Sequence, residues 1–139
     1  MIDTDAVVEQ ILRTYDTITV VGASRDPDKP AYYVPEHMQS RGWRIIPINP
    51  VADSILGEPV YRSLAEVPEQ VGLVEVFRPS DQTPDVARQA AACGATALWL
   101  QLHIASAEAA RIAADAGMLY VENRCMLVEQ RRLRLDAPR

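Results

Sequence analysis

The chain has 139 residues, with 14 Lys and Arg against 19 Asp and Glu, and a formal net charge of −5. This length predicts one domain over residues 1–139, with its core in about residues 15–133, large enough to fold without a metal or a disulfide. The negative charge opposes non-specific nucleic-acid binding, which needs a broad basic surface. The apolar runs are far shorter than the roughly 18 residues that a membrane span needs, so no membrane association is expected.

The chain start and the two cysteines indicate a cytoplasmic protein. The first ten residues are acidic and carry no positively charged leader before an apolar run, so no secretory signal is expected. Cys93 and Cys125 are 32 residues apart and form no CxxC pair. This spacing opposes a zinc site or a disulfide framework and suits a reducing compartment.

The first predicted elements are a helix, a buried strand and a second helix. Apolar residues with helical spacing predict a helix over residues 3–14, with Thr4 or Asp5 as its cap. Residues 18–21 form a β-branched run that predicts a strand buried on both faces. A second helix is expected from about residues 32–34 to residue 40, because Pro35 is tolerated only in a first helical turn.

The rest of the chain alternates between strands and helices. Further strands are predicted at 44–48, 72–77, 95–100 and 118–122, and further helices at 83–93, 106–116 and 125–133. Residues 51–68 are expected to be mostly irregular, with a short helical piece at 64–67, and residues 136–139 to be a frayed tail. Within the second strand, Pro47 predicts an edge or a terminal stretch. The alternation predicts an α/β fold, a single Rossmann-like doubly wound domain with a five-stranded parallel sheet in the order 3-2-1-4-5 and helices on both faces.

Polar or small residues follow the predicted strands where each apolar run stops. In doubly wound sheets, ligands bind outside the carboxyl ends of the strands where the strand order reverses, here between the first and fourth strands. Small side chains after the first strand let a ligand oxygen approach backbone N–H groups, and the next helix N-terminus adds partial positive charge. The candidate site residues from the strand ends and the following loop are Gly22, Ala23, Ser24, Arg25, Lys29, Asn49, Pro50, Phe77, Arg78 and Pro79.

The residues at these strand ends oppose an NAD site and favour a phosphate-rich ligand. The NAD fingerprint needs G-x-G-x-x-G and an acidic residue roughly 20 residues further on. Here a single glycine, Gly22, is followed by Ala-Ser, and Asn49 ends the second strand in place of a carboxylate. Arg25, Lys29 and Arg78 instead suit a ligand that carries several phosphates.

A series of segments resembles the small stand-alone CoA-binding proteins, which are similar to the CoA-binding domain of succinyl-CoA synthetase α-subunits. The segments are VVGASRDPDKPAYYV, GWRIIPINP, GEPVYRSL, VFRP, LWLQ and NRCMLVE, between about residues 17 and 133. The resemblance implies that coenzyme A binds at the carboxyl edge of the sheet. It further implies phosphate contacts from residues 22–25 and Lys29, and nucleotide contacts from residues 49–50 and 77–79. Two positions depart from the family pattern: His103 stands where Gly is usual, and Asn123 where Asp is usual.

The expected function is non-catalytic binding of coenzyme A or an acyl-CoA, with no metal and with a homodimer or a protein partner left open. The alternative is a nucleotide-dependent enzyme, either an NAD(P)-type oxidoreductase or an acyl-CoA ligase fragment that acts with a separate chain. A module whose pocket is vestigial is a further alternative. Cys125 follows Arg124, and a neighbouring cation lowers a thiol pKa, so it is either a reactive thiol or a small buried apolar residue.

Overall fold

A computed structural model describes residues 3–139 as alternating helices and strands. The helices are α1 (Thr4–Thr14), α2 (Pro30–Ser40), α3 (Thr83–Ala92), α4 (Ala107–Asp115) and α5 (Met126–Leu133). The strands are β1 (Thr17–Val21), β2 (Arg44–Ile48), β3 (Ser54–Ile55), β4 (Glu58–Pro59), β5 (Leu73–Val76), β6 (Ala97–Leu100) and β7 (Leu119–Val121). Short 3-10 turns cover Leu64–Glu66 and Ser80–Gln82.

The main sheet is parallel and has the order β2-β1-β5-β6-β7. The α/β class and the five parallel strands are confirmed. The predicted order 3-2-1-4-5 is wrong, because the third predicted strand, β5, pairs with β1 on the side opposite β2 and gives the order 2-1-3-4-5. Pro47 explains the position of β2: proline lacks the N–H of an interior strand residue, and the Pro47 carbonyl accepts a hydrogen bond from Tyr61 outside the main sheet.

Two apolar layers cover the faces of the sheet. One layer joins α1, α2 and α5 to the sheet through buried residues such as Ile11, Met38 and Trp99. The other joins α3 and α4 to the opposite face through residues such as Ala90 and Leu98. All residues of β5 and β6 are buried, which agrees with the prediction of helices on both faces of the sheet.

Both edges of the sheet are covered. Helix α1 contacts β7, and the β3–β4 hairpin lies beside β2. The hairpin lies in the segment predicted as irregular; each of its strands has only two residues, too few for a periodic signal. Covered edges leave few unpaired backbone groups for association with another strand. None of the helices described between residues 3 and 139 is long and apolar enough to cross a membrane.

Three predictions about the ends of elements and of the chain need correction: the cap of α1, the start of α2 and the state of the C-terminal tail. Helix α1 is capped by Asp3, whose carboxylate accepts from the N–H groups of the first turn. Helix α2 begins at Pro30, so Pro35 lies in its interior rather than in its first turn. The tail is docked rather than frayed: the Ala137 N–H donates to the Arg41 carbonyl, and Arg41 pairs with Asp136.

Glu75 is a buried carboxyl group in the middle of the sheet. Its neighbours in register are Val20 on β1 and Trp99 on β6. Neither carboxyl oxygen has a hydrogen-bond partner among residues 3–139, and burial raises the pKa of Glu75 to about 8. Glu75 is therefore protonated at neutral pH.

Candidate ligand-binding site

The winding of the sheet reverses between β1 and β5. The chain continues from β1 to β2 on one side, whereas β5 lies on the other side of β1. The reversal therefore falls between the first and third predicted strands, not between the first and fourth. In open α/β sheets, such a reversal leaves a crevice at the carboxyl ends of the strands. A cavity of about 610 Å³ opens here, and its wall includes Val21 of β1 and Ile48 of β2.

The turn after β1 brings the backbone of Gly22 against the backbone that follows β5. Gly22 has a φ of 86°, and a Cβ at this position would lie 2.7 Å from the Phe77 carbonyl oxygen. The N–H groups of Gly22 and Ala23 both donate to the Ile48 carbonyl at 3.2 Å, and the Ser24 N–H donates to Ala31 at 3.1 Å. Because these three donors have protein acceptors, a phosphate at this turn depends on other groups.

Proline at position 35 leaves the Ala31 carbonyl available to accept a hydrogen bond from the Ser24 N–H. In an α-helix, the N–H of residue 35 would donate to the carbonyl of residue 31. Pro35 has no N–H, so the Ala31 carbonyl is free to accept from Ser24. The Ser24 hydroxyl oxygen in turn accepts from the Asp26 N–H at 3.0 Å. The loop after β1 is thus fastened to the first turn of α2.

Arg25 and Lys29 lie exposed on this loop, and Lys29 is the N-cap residue of α2. Neither residue lines the cavity that opens between β1 and β5. The structure therefore places these two candidate site residues on the α2 side of the turn. They stay predicted ligand contacts.

Asn49 uses both halves of its amide within the protein. Its Nδ2 donates to the Ala23 carbonyl at 2.8 Å, and its Oδ1 accepts from the N–H groups of Val51 and Ala52 at 2.8 Å. Asn49 therefore ties the β2 end to the Gly22 turn, and the exposed Pro50 follows it. These bonds give Asn49 a structural role.

Arg78 reaches the cavity from the end of β5. Its Nε and Nη2 donate to Gln82 Oε1 at 3.0 and 2.5 Å, and both residues line the cavity. The preceding Phe77 is half-buried and donates its N–H to the Val21 carbonyl at 2.9 Å. The exposed Pro79 precedes the 3-10 turn that carries Gln82.

Arg62 is the cation of this cavity that the sequence interpretation missed. It follows Tyr61, which pairs with Ile48 in an isolated parallel bridge and so brings residue 62 to the carboxyl end of β2. Its Nη1 donates to the carbonyls of Asn49 and Ala52 at 3.0 and 2.6 Å. The only sequence signal for Arg62 is the segment GEPVYRSL, which is among the segments of the family resemblance. Its residues have no periodicity that would reveal the pairing of Tyr61 with Ile48.

The cavity also contains carboxylates. Asp81 and Asp85 lie in its wall with Arg62 and Arg78, and Asp85 accepts from Gln89 Nε2 at 3.2 Å. Two guanidinium groups and two carboxylates can together bind an anionic group and a neighbouring hydroxyl or amine. This arrangement suits a polar ligand with both kinds of group.

The two departures from the family pattern contact each other at the ends of β6 and β7. His103 has a φ of 71° and Asn123 a φ of 57°. The Asn123 Oδ1 accepts from the His103 N–H at 2.7 Å, and the Asn123 N–H donates to Ile104 at 3.0 Å. Glycine adopts this φ without strain, which explains physically why it suits position 103.

Arg124 is occupied by carboxylates near Cys125. Its Nη1 lies 2.9 Å from Asp5 and 2.5 Å from Glu129, and hydrogen bonds to these two groups raise the pKa of Arg124. Because two carboxylates offset the charge of Arg124, it is a poor activator of the neighbouring thiol. Cys125 is half-buried and packs against the layer of α1, α2 and α5, in line with the apolar role.

A second cavity lies at the opposite edge of the sheet. It measures about 500 Å³ and is lined by polar residues that include Arg44 and Glu69. These two side chains pair with each other, so their charges are already matched. The cavity at the carboxyl edge is the better candidate because it lies where the winding of the sheet reverses.

The fold and the cavity together define a Rossmann-like α/β ligand-binding domain. The chain belongs to the CoA-binding domain family, whose model matches residues 16–131. The resemblance expected from the sequence is thereby confirmed.

Relatives of similar length match this chain in sequence or in structure. The chain is 34% identical over 123 residues to the uncharacterized protein YneT of Bacillus subtilis, covering 88% of this chain and 91% of YneT. A solved structure of a hypothetical protein from Pyrococcus horikoshii superimposes with a TM-score of 0.90 at 33% identity, covering 96% and 94% of the two chains.

Similarity also extends to parts of larger proteins. The chain is 31% identical over 80 residues to an ADP-forming acetate–CoA ligase of Archaeoglobus fulgidus, covering 56% of this chain and 12% of the ligase. The dinucleotide-forming acetyl-coenzyme A synthetase 1 of Ca. Korarchaeum cryptofilum matches with a TM-score of 0.70 and 26% identity, over 84% of this chain and 28% of the synthetase. The chain thus corresponds to a small part of each of these proteins.

Proposed function

We propose that the protein binds coenzyme A, free or acylated, in the cavity at the carboxyl edge of the sheet and does not convert it. The observation that carries this proposal is the convergence of Arg62 and Arg78 on one cavity at the reversal of the sheet, in a chain of the CoA-binding domain family. Coenzyme A carries a diphosphate and a ribose phosphate. Guanidinium groups bind such phosphates through paired, charge-assisted hydrogen bonds.

The other groups of the cavity suit the remaining polar atoms of the ligand. Asp81 and Asp85 can accept hydrogen bonds from a ribose hydroxyl or an adenine amine. Gly22 keeps the turn free of a side chain beside Arg78. The family resemblance adds Ala23, Ser24, Arg25, Lys29, Asn49, Pro50, Phe77 and Pro79 as further candidate contacts.

Ligand titration separates this proposal from its alternatives. We expect CoA and 3′,5′-ADP to bind in calorimetry, whereas NAD, NADP and ATP bind more weakly. We also expect chromatography to recover CoA unchanged after incubation with the protein. Preferred binding of NAD or NADP would favour the oxidoreductase, conversion of an acyl-CoA the ligase fragment, and no binding the vestigial pocket.

Substitution of the cavity arginine tests the site itself. We expect Arg78→Gln to weaken CoA binding by about 10- to 100-fold, the loss of one charge-assisted hydrogen-bonded contact. Arg88→Gln is the matched control, because Arg88 lies on α3 and pairs with Glu108 outside the cavity. Isothermal titration calorimetry at two salt concentrations measures both variants. Equal affinity of Arg78→Gln and Arg88→Gln for CoA would remove the cavity from the proposed site.

A further inference from the structure

Arg78 is held by a neutral side chain rather than by a carboxylate. Its Nε and Nη2 both donate to Gln82 Oε1, at 3.0 and 2.5 Å. It forms no ion pair within residues 3–139, whereas Arg62, the other arginine of the cavity, lies 3.1 Å from the carboxylate of Asp53. An amide oxygen accepts hydrogen bonds without cancelling a charge, so Arg78 keeps its positive charge for an anion.

The two hydrogen bonds to Gln82 occupy only one edge of the guanidinium group of Arg78. This group has N–H donors on Nε, Nη1 and Nη2, and the glutamine oxygen accepts from Nε and Nη2. Both N–H groups of Nη1 and the second N–H of Nη2 are left without an acceptor in the described part of the chain. One N–H from each of these two nitrogens forms the parallel pair that binds two oxygens of a phosphate group.

The backbone that carries Gln82 is fixed before any ligand binds. The Gln82 N–H donates to the Pro79 carbonyl at 2.9 Å, which closes the 3-10 turn after β5. The buried Thr83 donates its hydroxyl to the Ser80 carbonyl at 2.7 Å, and the Ser80 hydroxyl oxygen accepts from the Ala105 N–H at 3.1 Å. Because the turn is fastened on both sides, the acceptor for the arginine is preorganised.

The side chain of Gln82 contributes little to the fold itself. Gln82 is the N-cap residue of α3, but its side chain makes no capping hydrogen bond. The residue is exposed, and the hydrogen bonds that its side chain makes within residues 3–139 are those with Arg78. Replacement of this side chain is therefore expected to change the orientation of Arg78 without unfolding α3.

We propose that Gln82 is a positioning residue for anion binding, which holds Arg78 by one edge and leaves its other edge and its charge to a phosphate group. This proposal rests on the proposed function, in which CoA supplies the phosphate. It also ranks the two arginines of the cavity. Arg78 contributes more to affinity than Arg62, because Asp53 offsets the charge of Arg62.

A double-mutant cycle tests whether Gln82 acts through Arg78. Gln82→Met keeps the length of the side chain but removes the acceptor, and we expect it to weaken CoA binding by about fivefold in calorimetry. In the Arg78→Gln background the same substitution should cause no further loss, because the group that it orients is gone. Gln10→Met, at an exposed position on α1 outside the cavity, is the control and should bind CoA like wild type. An equal loss from Gln82→Met in both backgrounds would overturn the proposal.

Gln82→Glu separates orientation from charge. This variant keeps an acceptor for Arg78 but adds a carboxylate to a cavity that already contains Asp81 and Asp85. We expect it to pair with the guanidinium group and to weaken CoA binding by about 20-fold, more than Gln82→Met does. Wild-type affinity in Gln82→Glu would show that the neutral acceptor is not required and would overturn the proposal.

Inorganic pyrophosphate distinguishes a failure of this proposal from a failure of the proposed function. If wild type binds pyrophosphate but not CoA, and Gln82→Met weakens pyrophosphate, the positioning role stands and CoA is rejected as the ligand. If wild type and Gln82→Met bind CoA equally, the positioning role alone fails. If wild type binds neither compound, both proposals fail.

Discussion

At the scale of single residues, Gly22 combines a backbone conformation and a close contact that other residues cannot share. Its φ is 86°, and an added Cβ would lie 2.7 Å from the Phe77 carbonyl oxygen. We expect Gly22→Ala to lower the free energy of unfolding by about 3 kcal/mol, part from the positive φ and part from the displaced backbone. Urea denaturation measures this change.

Gly57 separates these two contributions. It also has a positive φ, of 77°, but an added Cβ would meet no atom within 4 Å. Gly57→Ala is therefore expected to cost only about 1 kcal/mol. If the two variants lose equal stability, the contact with Phe77 contributes nothing and the tight approach of β1 to β5 is not what requires glycine at position 22.

At the scale of elements, α2 and the loop after β1 share one carbonyl group. Pro35→Ala introduces an N–H that competes with Ser24 for the Ala31 carbonyl. We expect the Ser24 amide to exchange with solvent about tenfold faster in this variant, because it loses its acceptor. Hydrogen exchange followed by NMR measures the rate.

Pro30→Ala is the control for this prediction. Pro30 is the first residue of α2, where a new N–H has no helical carbonyl to accept it and does not reach Ala31. The Ser24 amide should exchange at the wild-type rate in this variant. An unchanged rate in Pro35→Ala as well would mean that the Ala31 carbonyl accepts both donors.

Element positions could be predicted from the sequence better than element order. The apolar runs locate β1, β2, β5, β6 and β7, because buried parallel strands are almost continuously apolar. Right-handed crossovers permit both 3-2-1-4-5 and 2-1-3-4-5, so handedness alone does not choose between them. Pro47 was the distinguishing residue, since it suits an edge strand and the observed order places β2 at the edge.

The candidate site was partly predictable for a similar reason. Arg78 directly follows an apolar strand, so its place at the carboxyl edge could be predicted from local sequence. Arg62 could not, because its position depends on the bridge between Ile48 and Tyr61, a contact between segments with no shared pattern. Asn49 was predicted as a candidate site residue, and only its hydrogen bonds show that its amide is used inside the protein.

At the scale of the whole molecule, one buried carboxyl group links stability to pH. The pKa of Glu75 is raised by burial from 4.5 to about 8, so between these values the unfolded chain releases a proton that the folded chain keeps. The contribution of Glu75 to the free energy of unfolding is fully present below about pH 4.5 and is lost as the pH rises through about 8. Asp5 and Glu69 have pKa values lowered by their arginine partners, so their contributions change only in more acidic solution.

We therefore expect the free energy of unfolding to fall as the pH rises from about 5.5 to about 8, with a slope of up to about 1.4 kcal/mol per pH unit. Glu75→Gln has no proton to lose and should remove this slope. Glu75→Leu should also remove it and should raise stability at pH 8, because it replaces an unpaired buried polar group with an apolar one of similar size. Denaturation curves across this pH range measure all three proteins. A wild-type slope retained in both variants would show that another group, and not Glu75, governs the pH dependence.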